Sequence, residues 1–185
     1  GVETRNNNDY ISTTKHNDLW KEILLGKDVH RYSYNYSGSY VKFVPKELKS
    51  NANIDYYLRD KILMRRTGNS IIACADFDNF IALKNLYLII PTNAKLLPLI
   101  LLQLNSKLFD FIHKSLTTGE NKAFAQFPTH YVETLPCRID NSLIEKSIKL
   151  FQQRENDESV ENQIDQLVYQ LYELTEEEIK IVEGK

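Results

Sequence analysis

Short apolar runs separated by polar turns fill the middle of the chain. The four runs cover residues 61–66, 70–75, 79–83 and 86–90. Apolar runs of about four to eight residues with turn residues at their ends are typical of β-strands. Connections this short join neighbouring strands in antiparallel order. The pattern therefore predicts one largely antiparallel sheet over residues 61–90.

Pro91 ends this predicted sheet, and the chain then changes to a helical period. Apolar residues recur every three or four positions at Leu97, Leu101, Leu104 and Leu108. The first half of the segment is apolar on all sides, which indicates burial. We expect a long buried helix that is capped by Asn93 or begins at Pro98, and that runs to about Lys114.

Helical periodicity returns from residue 142 onward. One amphipathic stripe is formed by Val160, Ile164, Leu167, Val168 and Leu171. Thr175 and Glu178 have the spacing of a capping box, which predicts a last short helix. Ahead of the sheet the signals are weaker. They predict a short helix over residues 18–25, ended by Gly26, and a strand over residues 40–44.

These patterns predict an α+β fold, with a mainly antiparallel or mixed sheet, a buried long helix and C-terminal helices. The chain has 185 residues, of which 42% are apolar, enough for one folded domain. We expect residues 1–136 to form a sheet-containing body. Residues 137–185 are expected to form a helical extension packed on that body, so that the whole is one compact domain.

Charge is distributed unevenly along the chain. The net charge of −2 argues against a generally basic nucleic-acid-binding protein. Residues 1–136, however, carry 17 Lys and Arg against 13 Asp and Glu, whereas residues 137–185 carry 6 against 12. A mildly basic body suits contact with an anion. On charge alone, chance clustering stays an alternative interpretation.

The chain contains no pattern that predicts a targeting or membrane segment. Its longest apolar run, Leu96–Leu104, is too short to span a bilayer. Cys74 and Cys137 lie far apart in the sequence and are predicted to be free, buried thiols. We therefore expect a protein of a reducing, bacterial-type cytoplasm with no membrane partner. Because the chain begins at Gly1 and not at Met, we expect it to be a segment of a longer protein.

Catalytic motifs are absent from the sequence. Its glycines form neither a dinucleotide-binding fingerprint nor a P-loop, and no two histidines have metal-ligand spacing. Asp165, Glu178 and Lys180 have the residue types of a metal-dependent nuclease. They lie on predicted helices in the acidic tail, however, where a solvated helix start is the simpler interpretation.

Three polar, basic segments remain as candidates for binding. They are the segment after Gly26, the strand end before Gly68 and the loop after the long helix. Their candidate residues are Lys27, His30, Arg31, Arg65, Arg66, Thr67, Lys114 and Lys122. Arg and Lys neutralise phosphates, and Arg also binds the edges of bases. We expect the three segments to form one face, and a solvated surface loop is the alternative for each.

Five segments, taken in order, resemble a known family. They are 25–32, 61–68, 102–108, 135–136 and 167–179. Together they are similar to the TaqI-like C-terminal specificity domain of adenine-specific DNA methyltransferases in type II restriction–modification systems. Some enzymes of this kind are fused to a restriction endonuclease.

The resemblance implies a target-recognition domain that binds duplex DNA opposite a methyltransferase domain. That domain flips an adenine out of the duplex and methylates it with S-adenosylmethionine. The segment itself would then have no catalytic activity and no cofactor, and magnesium would be needed only if the parent protein also cuts DNA. The alternatives are a recognition unit of a type I restriction specificity subunit and a stand-alone nuclease.

Arg65 and Arg66 match positions of these motifs, and their role on DNA is a hypothesis. Adjacent side chains of an extended strand point to opposite sides. At most one of the two is therefore expected to contact DNA, while the other pairs within the fold. An ion pair with Asp28 or Asp60 is the alternative role for either arginine.

Overall fold

The computed structural model describes residues 1–117, 127–154 and 157–185. These residues form two compact units. The first comprises residues 1–66 and 73–90, and the second comprises residues 67–72 and 91–185. The boundary expected at residue 136 lies inside the second unit, and a division of the chain at that point stays a prediction.

The first unit contains the β-strands. They are β1 (Ile11–Ser12), β2 (Trp20–Leu24), β3 (Tyr40–Lys42), β4 (Lys61–Arg65), β5 (Ala73–Asp76), β6 (Ile81–Ala82) and β7 (Leu86–Ile89). One sheet has the order β1-β3-β2-β6, in which β6 runs parallel to β2 and the other pairs are antiparallel. In the other sheet β4 lies between β5 and β7 and is antiparallel to both.

Four strands are present where four apolar runs predicted them, and the prediction of antiparallel and mixed β-structure is confirmed. The expectation of a single sheet over residues 61–90 is wrong. The third run, β6, pairs with β2, so that Ile81 lies opposite Ile23 and Ala82 opposite Leu24. All four of these side chains are buried. Burial against β2 therefore decides where this short run pairs.

The helix expected over residues 18–25 is also wrong, because strand β2 occupies this segment. Trp20, Lys21 and Glu22 lie opposite residues of β3, whereas Ile23 and Leu24 pair with β6. The segment thus has partners on both of its sides. Tertiary pairing of this kind overrides a weak local preference for helix.

The α-helices lie mostly in the second unit. Among the described residues they are α1 (Asn7–Tyr10), α2 (Leu97–Leu104), α3 (Lys107–Thr117), α4 (Thr129–Glu133), α5 (Ile144–Arg154), α6 (Glu161–Leu171) and α7 (Glu176–Glu183). The predicted α+β class with C-terminal helices is confirmed. No helix in the described ranges is both long enough and apolar enough to cross a membrane.

The long buried helix is present as two helices, α2 and α3. Asn93 caps the 3-10 turn ahead of α2, where its side chain accepts a hydrogen bond from the Lys95 amide. The break lies at Asn105 and Ser106. The Ser106 hydroxyl donates to the carbonyl of Gln103 at 2.7 Å and accepts from the amide of Phe109. One serine thus closes the first helix and starts the second, a role that serine often takes at helix ends.

Gln103 joins α2 to later parts of the second unit. Its amide nitrogen donates to the carbonyls of Leu99 and Arg138. Its amide oxygen accepts from the backbone N–H of Arg138 at 2.9 Å and from the hydroxyl of Tyr172 at 2.7 Å. All the bonding positions of this buried amide are therefore filled, as burial requires.

The two cysteines are free thiols with different environments. Cys74 lies on β5 and is fully buried, and burial raises the pKa of its thiol to about 12. Cys137 is exposed. The expectation of two buried thiols is therefore right for Cys74 and wrong for Cys137.

Candidate nucleic-acid interface

Strand β4 carries a basic side chain at each of its ends. At its start, Lys61 is fully buried, and its Nζ lies 2.7 Å from a carboxylate oxygen of Asp76 on β5. The same Nζ donates to the carbonyl of Tyr57 at 2.7 Å. Burial raises the pKa of Asp76, although the Lys61 ammonium opposes this effect. Both charges at this end are enclosed by the fold and face one another.

At the other end of β4, Arg65 binds backbone carbonyls. Its Nε donates to the carbonyl of Val29 at 2.7 Å, and its Nη2 lies 3.5 Å from the carbonyl of Lys27. Within the described ranges Arg65 has no ion pair. The carboxylate of Asp28, considered above as a partner, instead accepts hydrogen bonds from the Leu25 amide and the Ser37 hydroxyl.

Arg66, the next residue, reaches a different segment. Its Nη1 donates to the carbonyl of Lys84 at 3.0 Å, and its guanidinium lies 4.8 Å from the centre of the Tyr87 ring. Arg65 and Arg66 thus take different directions, as expected for neighbours at the end of a strand. Both are half-buried, and both brace loops of the first unit.

Residues 26–37 form a loop, the 26–37 loop, that is fastened to itself and to the sheet. Within the loop, the His30 amide donates to the carbonyl of Ser33, and the Asn35 amide donates to that of Asp28, both at 2.8 Å. The Tyr32 amide donates to the carbonyl of Ala73 on β5 at 2.9 Å. Tyr32 has a φ of 66°, a left-handed conformation that reverses the chain at this point.

The tyrosines of this loop pack against the protein. The Tyr34 hydroxyl donates to the carboxylate of Asp78, and burial raises the pKa of Tyr34 above its usual range, with a further contribution from Asp78. The rings of Tyr34 and Tyr36 lie 5.4 and 5.0 Å from that of Phe80. These rings hold the loop in place.

The 26–37 loop exposes basic side chains to solvent. Lys27 and His30 are exposed and Arg31 is half-buried. In the part of the chain that the structure describes, neither Lys27 nor His30 forms an ion pair. The first unit carries 13 Lys and Arg against 10 Asp and Glu, a net charge of +3. The loop therefore presents positive charge to solvent on a mildly basic unit.

The remaining candidates belong to the second unit. Thr67 and Lys114 are both exposed there, and Lys122 lies outside the described residues. The segment 67–72 is attached to α3, where the Asp110 carboxylate accepts a hydrogen bond from the Ile71 amide at 3.3 Å. The structure thus brings five of the eight candidates together in the first unit. A single face formed by all three segments stays a prediction.

Comparison with protein families identifies the family to which this chain belongs. The family described as TaqI-like C-terminal specificity domain matches residues 21–137. The chain belongs to this family. The family indicates DNA target recognition in restriction–modification systems, and a specificity domain is non-catalytic by itself. No curated protein matches the sequence significantly.

The residues considered for a nuclease have structural roles in this specificity domain. Asp165 on α6 is buried and accepts a hydrogen bond from the Lys107 amide at 2.9 Å, and it also pairs with the Lys107 ammonium. Glu178 forms the predicted capping box with Thr175. Within the described ranges, no cluster of three or more His, Cys, Asp or Glu residues could hold a metal ion. The structure therefore gives no support to the nuclease interpretation.

Sequence reasoning missed the groups that Arg65 and Arg66 bind in the specificity domain. The sequence predicts that at most one of them contacts DNA and that the other pairs within the fold, with an ion pair as the alternative role. Their hydrogen-bond partners are the carbonyls of Lys27, Val29 and Lys84. Every residue has a carbonyl, so no residue type marks these partners in the sequence. Only the path of the chain reveals them.

Proposed function

We propose that this specificity domain recognises a specific duplex DNA sequence for an adenine-specific DNA methyltransferase of a restriction–modification system. In this proposal it holds the duplex while a methyltransferase domain of the same protein flips the target adenine and methylates it. S-adenosylmethionine belongs to that methyltransferase domain, and magnesium to an endonuclease domain if the protein has one. The specificity domain supplies binding alone.

The observation that carries the proposal is the 26–37 loop. It presents Lys27 and His30 to solvent, without a carboxylate partner among the described residues, on a unit with a positive net charge. Cationic side chains bind DNA by neutralising phosphates and releasing counterions. Arg31 follows on the same loop and has the donors that read guanine edges. The family supports the same interpretation, since a specificity domain must contact the DNA that it selects.

Firm contact with DNA serves the chemistry of a base-flipping methyltransferase. Extruding one nucleotide costs a few kcal/mol of stacking and pairing energy. Contacts to phosphates and neighbouring base pairs can offset this cost when they form in the flipped complex. A separate binding domain thus lets the methyltransferase domain act on a base that is otherwise shielded within the stack.

Selection from a random pool tests the proposal. The full-length protein is incubated with 30-base-pair duplexes that carry a randomised centre, and the bound fraction is sequenced over several rounds. We expect one motif to be enriched, and an adenine within it to be methylated when S-adenosylmethionine is added. Failure of the wild-type protein to enrich any motif would overturn the proposal.

A triple variant tests the role of the loop in the same selection. Lys27→Ala, His30→Ala and Arg31→Ala together should abolish enrichment of the motif. The matched control, Lys21→Ala with Lys46→Ala, removes the same formal charge from exposed positions of the same unit and should still enrich it. If the triple variant enriches the motif as the wild type does, the loop is not the DNA-binding element.

A further inference from the structure

We infer that Arg65 is a positioning residue, which holds the 26–37 loop in the shape that presents its cations to DNA and does not itself bind a phosphate. The inference rests on the proposed function. It separates the basic residues of the 26–37 loop, which contact DNA, from Arg65, which fixes them in place.

The first argument is the direction of the Arg65 guanidinium. Its Nε bonds the carbonyl of Val29 at 2.7 Å, and its Nη2 approaches that of Lys27. Both carbonyls belong to the start of the 26–37 loop. Val29 also forms an antiparallel bridge with Tyr34. Arg65 therefore binds the loop next to the bridge that joins its outgoing and returning segments.

The second argument is the rigidity of the element that carries Arg65. Strand β4 is paired on both sides, with Met64 opposite Ala73 on β5 and Arg65 itself opposite Leu86 on β7. A planar guanidinium also holds its donors in a fixed geometry, whereas a lysine offers one strongly hydrated point charge. The Arg65 side chain thus fixes the loop relative to the sheet.

The third argument is a second attachment on the other side of the exposed tip. The Tyr32 amide donates to the carbonyl of Ala73 on β5. The tip is therefore held at Val29 through β4 and at Tyr32 through β5. Only His30 and Arg31 lie between these two attachments. A binding segment fixed at both ends loses little conformational freedom when it meets its ligand.

Arg66 provides a matched control for Arg65. It is the next residue, has the same charge and is also half-buried. Its hydrogen bond, however, goes to the carbonyl of Lys84, outside the 26–37 loop. Loss of Arg66 therefore removes the same charge from the same strand end without releasing the loop.

The salt dependence of binding distinguishes positioning from contact. The full-length protein and its variants are titrated with a fluorescein-labelled 20-base-pair duplex that carries the enriched motif, at several salt concentrations. Removing one phosphate contact lowers the slope of log K against log salt by about 0.9. We expect this loss for Lys27→Met. For Arg65→Met we expect an unchanged slope and affinity for the motif about tenfold weaker.

Arg65→Lys sharpens the test because it keeps the charge and changes the geometry. A phosphate contact would survive this change in large part, since lysine binds phosphate as a point charge. Hydrogen bonds to two separate carbonyls would be lost, because lysine lacks the planar fork of donors. We therefore expect Arg65→Lys to bind the motif as weakly as Arg65→Met. Wild-type affinity in Arg65→Lys, or a slope that falls by about 0.9 in Arg65→Met, would overturn the inference.

Hydrogen exchange gives a readout that needs no DNA. In Arg65→Met and Arg65→Lys the amides between residues 29 and 35 should exchange faster than in the wild type, while Arg66→Met leaves them unchanged. Unaltered exchange in both Arg65 variants would contradict the inference, even if their binding is weak. Wild-type protein that binds no duplex overturns the proposed function itself. If the wild-type protein binds the duplex but the slope of log K against log salt falls in Arg65→Met, only the positioning role of Arg65 is overturned.

Discussion

The two ends of strand β4 use their basic side chains in opposite ways. At the start, Lys61 is buried against the carboxylate of Asp76 at 2.7 Å. At the end, Arg65 binds neutral carbonyls of the 26–37 loop. Both side chains donate hydrogen bonds to backbone carbonyls. Of the two, Lys61 alone has a carboxylate partner among the residues that the structure describes.

This difference separates hydrogen bonding from charge neutralisation. A carbonyl oxygen satisfies an N–H group, but it carries no net charge, so the guanidinium keeps its positive field. Arg65 therefore braces the loop and still adds to the potential around Lys27, which attracts an anionic partner over a distance. Lys61 contributes to the stability of the first unit and adds little to that field.

The largest effect on the free energy of unfolding is expected when the ion pair at the start of β4 is broken. Lys61→Met leaves the Asp76 carboxylate buried without its cation. Removing one partner of a buried ion pair typically costs about 3–5 kcal/mol. Urea unfolding of the variant measures this loss. The double variant Lys61→Met with Asp76→Asn should recover most of the stability, and a single variant as stable as the wild type would contradict the interpretation.

Adding a carboxylate to the 26–37 loop, which Arg65 binds at the end of β4, should change DNA affinity much more than the free energy of unfolding. Lys27→Glu places a negative charge within the 26–37 loop, so we expect DNA affinity at low salt to fall at least about tenfold. Surface substitutions typically change the free energy of unfolding by less than about 0.5 kcal/mol. Fluorescence anisotropy and thermal unfolding measure the two effects.

Lys46→Glu is the control for this second prediction. It changes the net charge by the same amount at an exposed position of the same unit. Equal losses of affinity in the two variants would show that total charge, and not the loop, determines binding.

A buried histidine in the second unit extends the comparison to a third basic side chain. His113 is 1% exposed, and its Nδ1 lies 3.1 Å from the hydroxyl of Tyr131. Burial lowers the pKa of His113, and the nearby Lys114 ammonium lowers it further, although a hydrogen bond with the Gly68 backbone opposes them. The lowered pKa favours the neutral form of His113.

The sign of the pH effect follows from this lowered pKa. In the unfolded chain His113 takes up a proton near its usual pKa of about 6.5, whereas the folded protein resists protonation until lower pH. The contribution of neutral His113 to stability is complete above its pKa in the unfolded chain. It is lost as the pH falls toward its pKa in the folded protein. We expect the free energy of unfolding to decrease from pH 7.5 to pH 5. The decrease should be smaller in His113→Gln, and an identical profile in both proteins would contradict this assignment.

The smallest effect is expected where a neutral oxygen satisfies a backbone donor at the surface. The Thr175 hydroxyl accepts a hydrogen bond from the Glu178 amide at the start of α7. Thr175→Ala should cost about 1 kcal/mol, the usual value for a lost helix cap. Thr175→Ser keeps the hydroxyl and should remain close to the wild type. Chemical denaturation measures both, and DNA binding should change in neither.

Local signals explain which parts of the fold were predictable. The apolar run of β4 and the capping box at Thr175 depend on residues a few positions apart, and both are present as predicted. Strand β2 depends on pairing with β3 and β6, which lie far away in the sequence, so its own residues favoured a helix. The break between α2 and α3 depends on the hydroxyl of Ser106, a residue that is also common inside helices.

The candidate site was predictable in its residues and not in their roles. Basic side chains near glycines identified the 26–37 loop and the end of β4. That Arg65 reaches the loop is a consequence of tertiary structure, because residues 29 and 65 are brought together only when the first unit folds. The role of an arginine cannot be read from a pattern when its partner is a carbonyl.

The anchoring of the 26–37 loop has a consequence for how target preference changes. The contacts of Arg65 and Tyr32, and the bond between the His30 amide and Ser33, all involve backbone atoms of the loop. None of them depends on which side chains stand at positions 27, 30 and 33. Those three exposed positions can therefore be substituted while the loop keeps its shape. This makes the loop a natural place to retarget the protein toward a different DNA sequence by randomising a few residues on an unchanged scaffold.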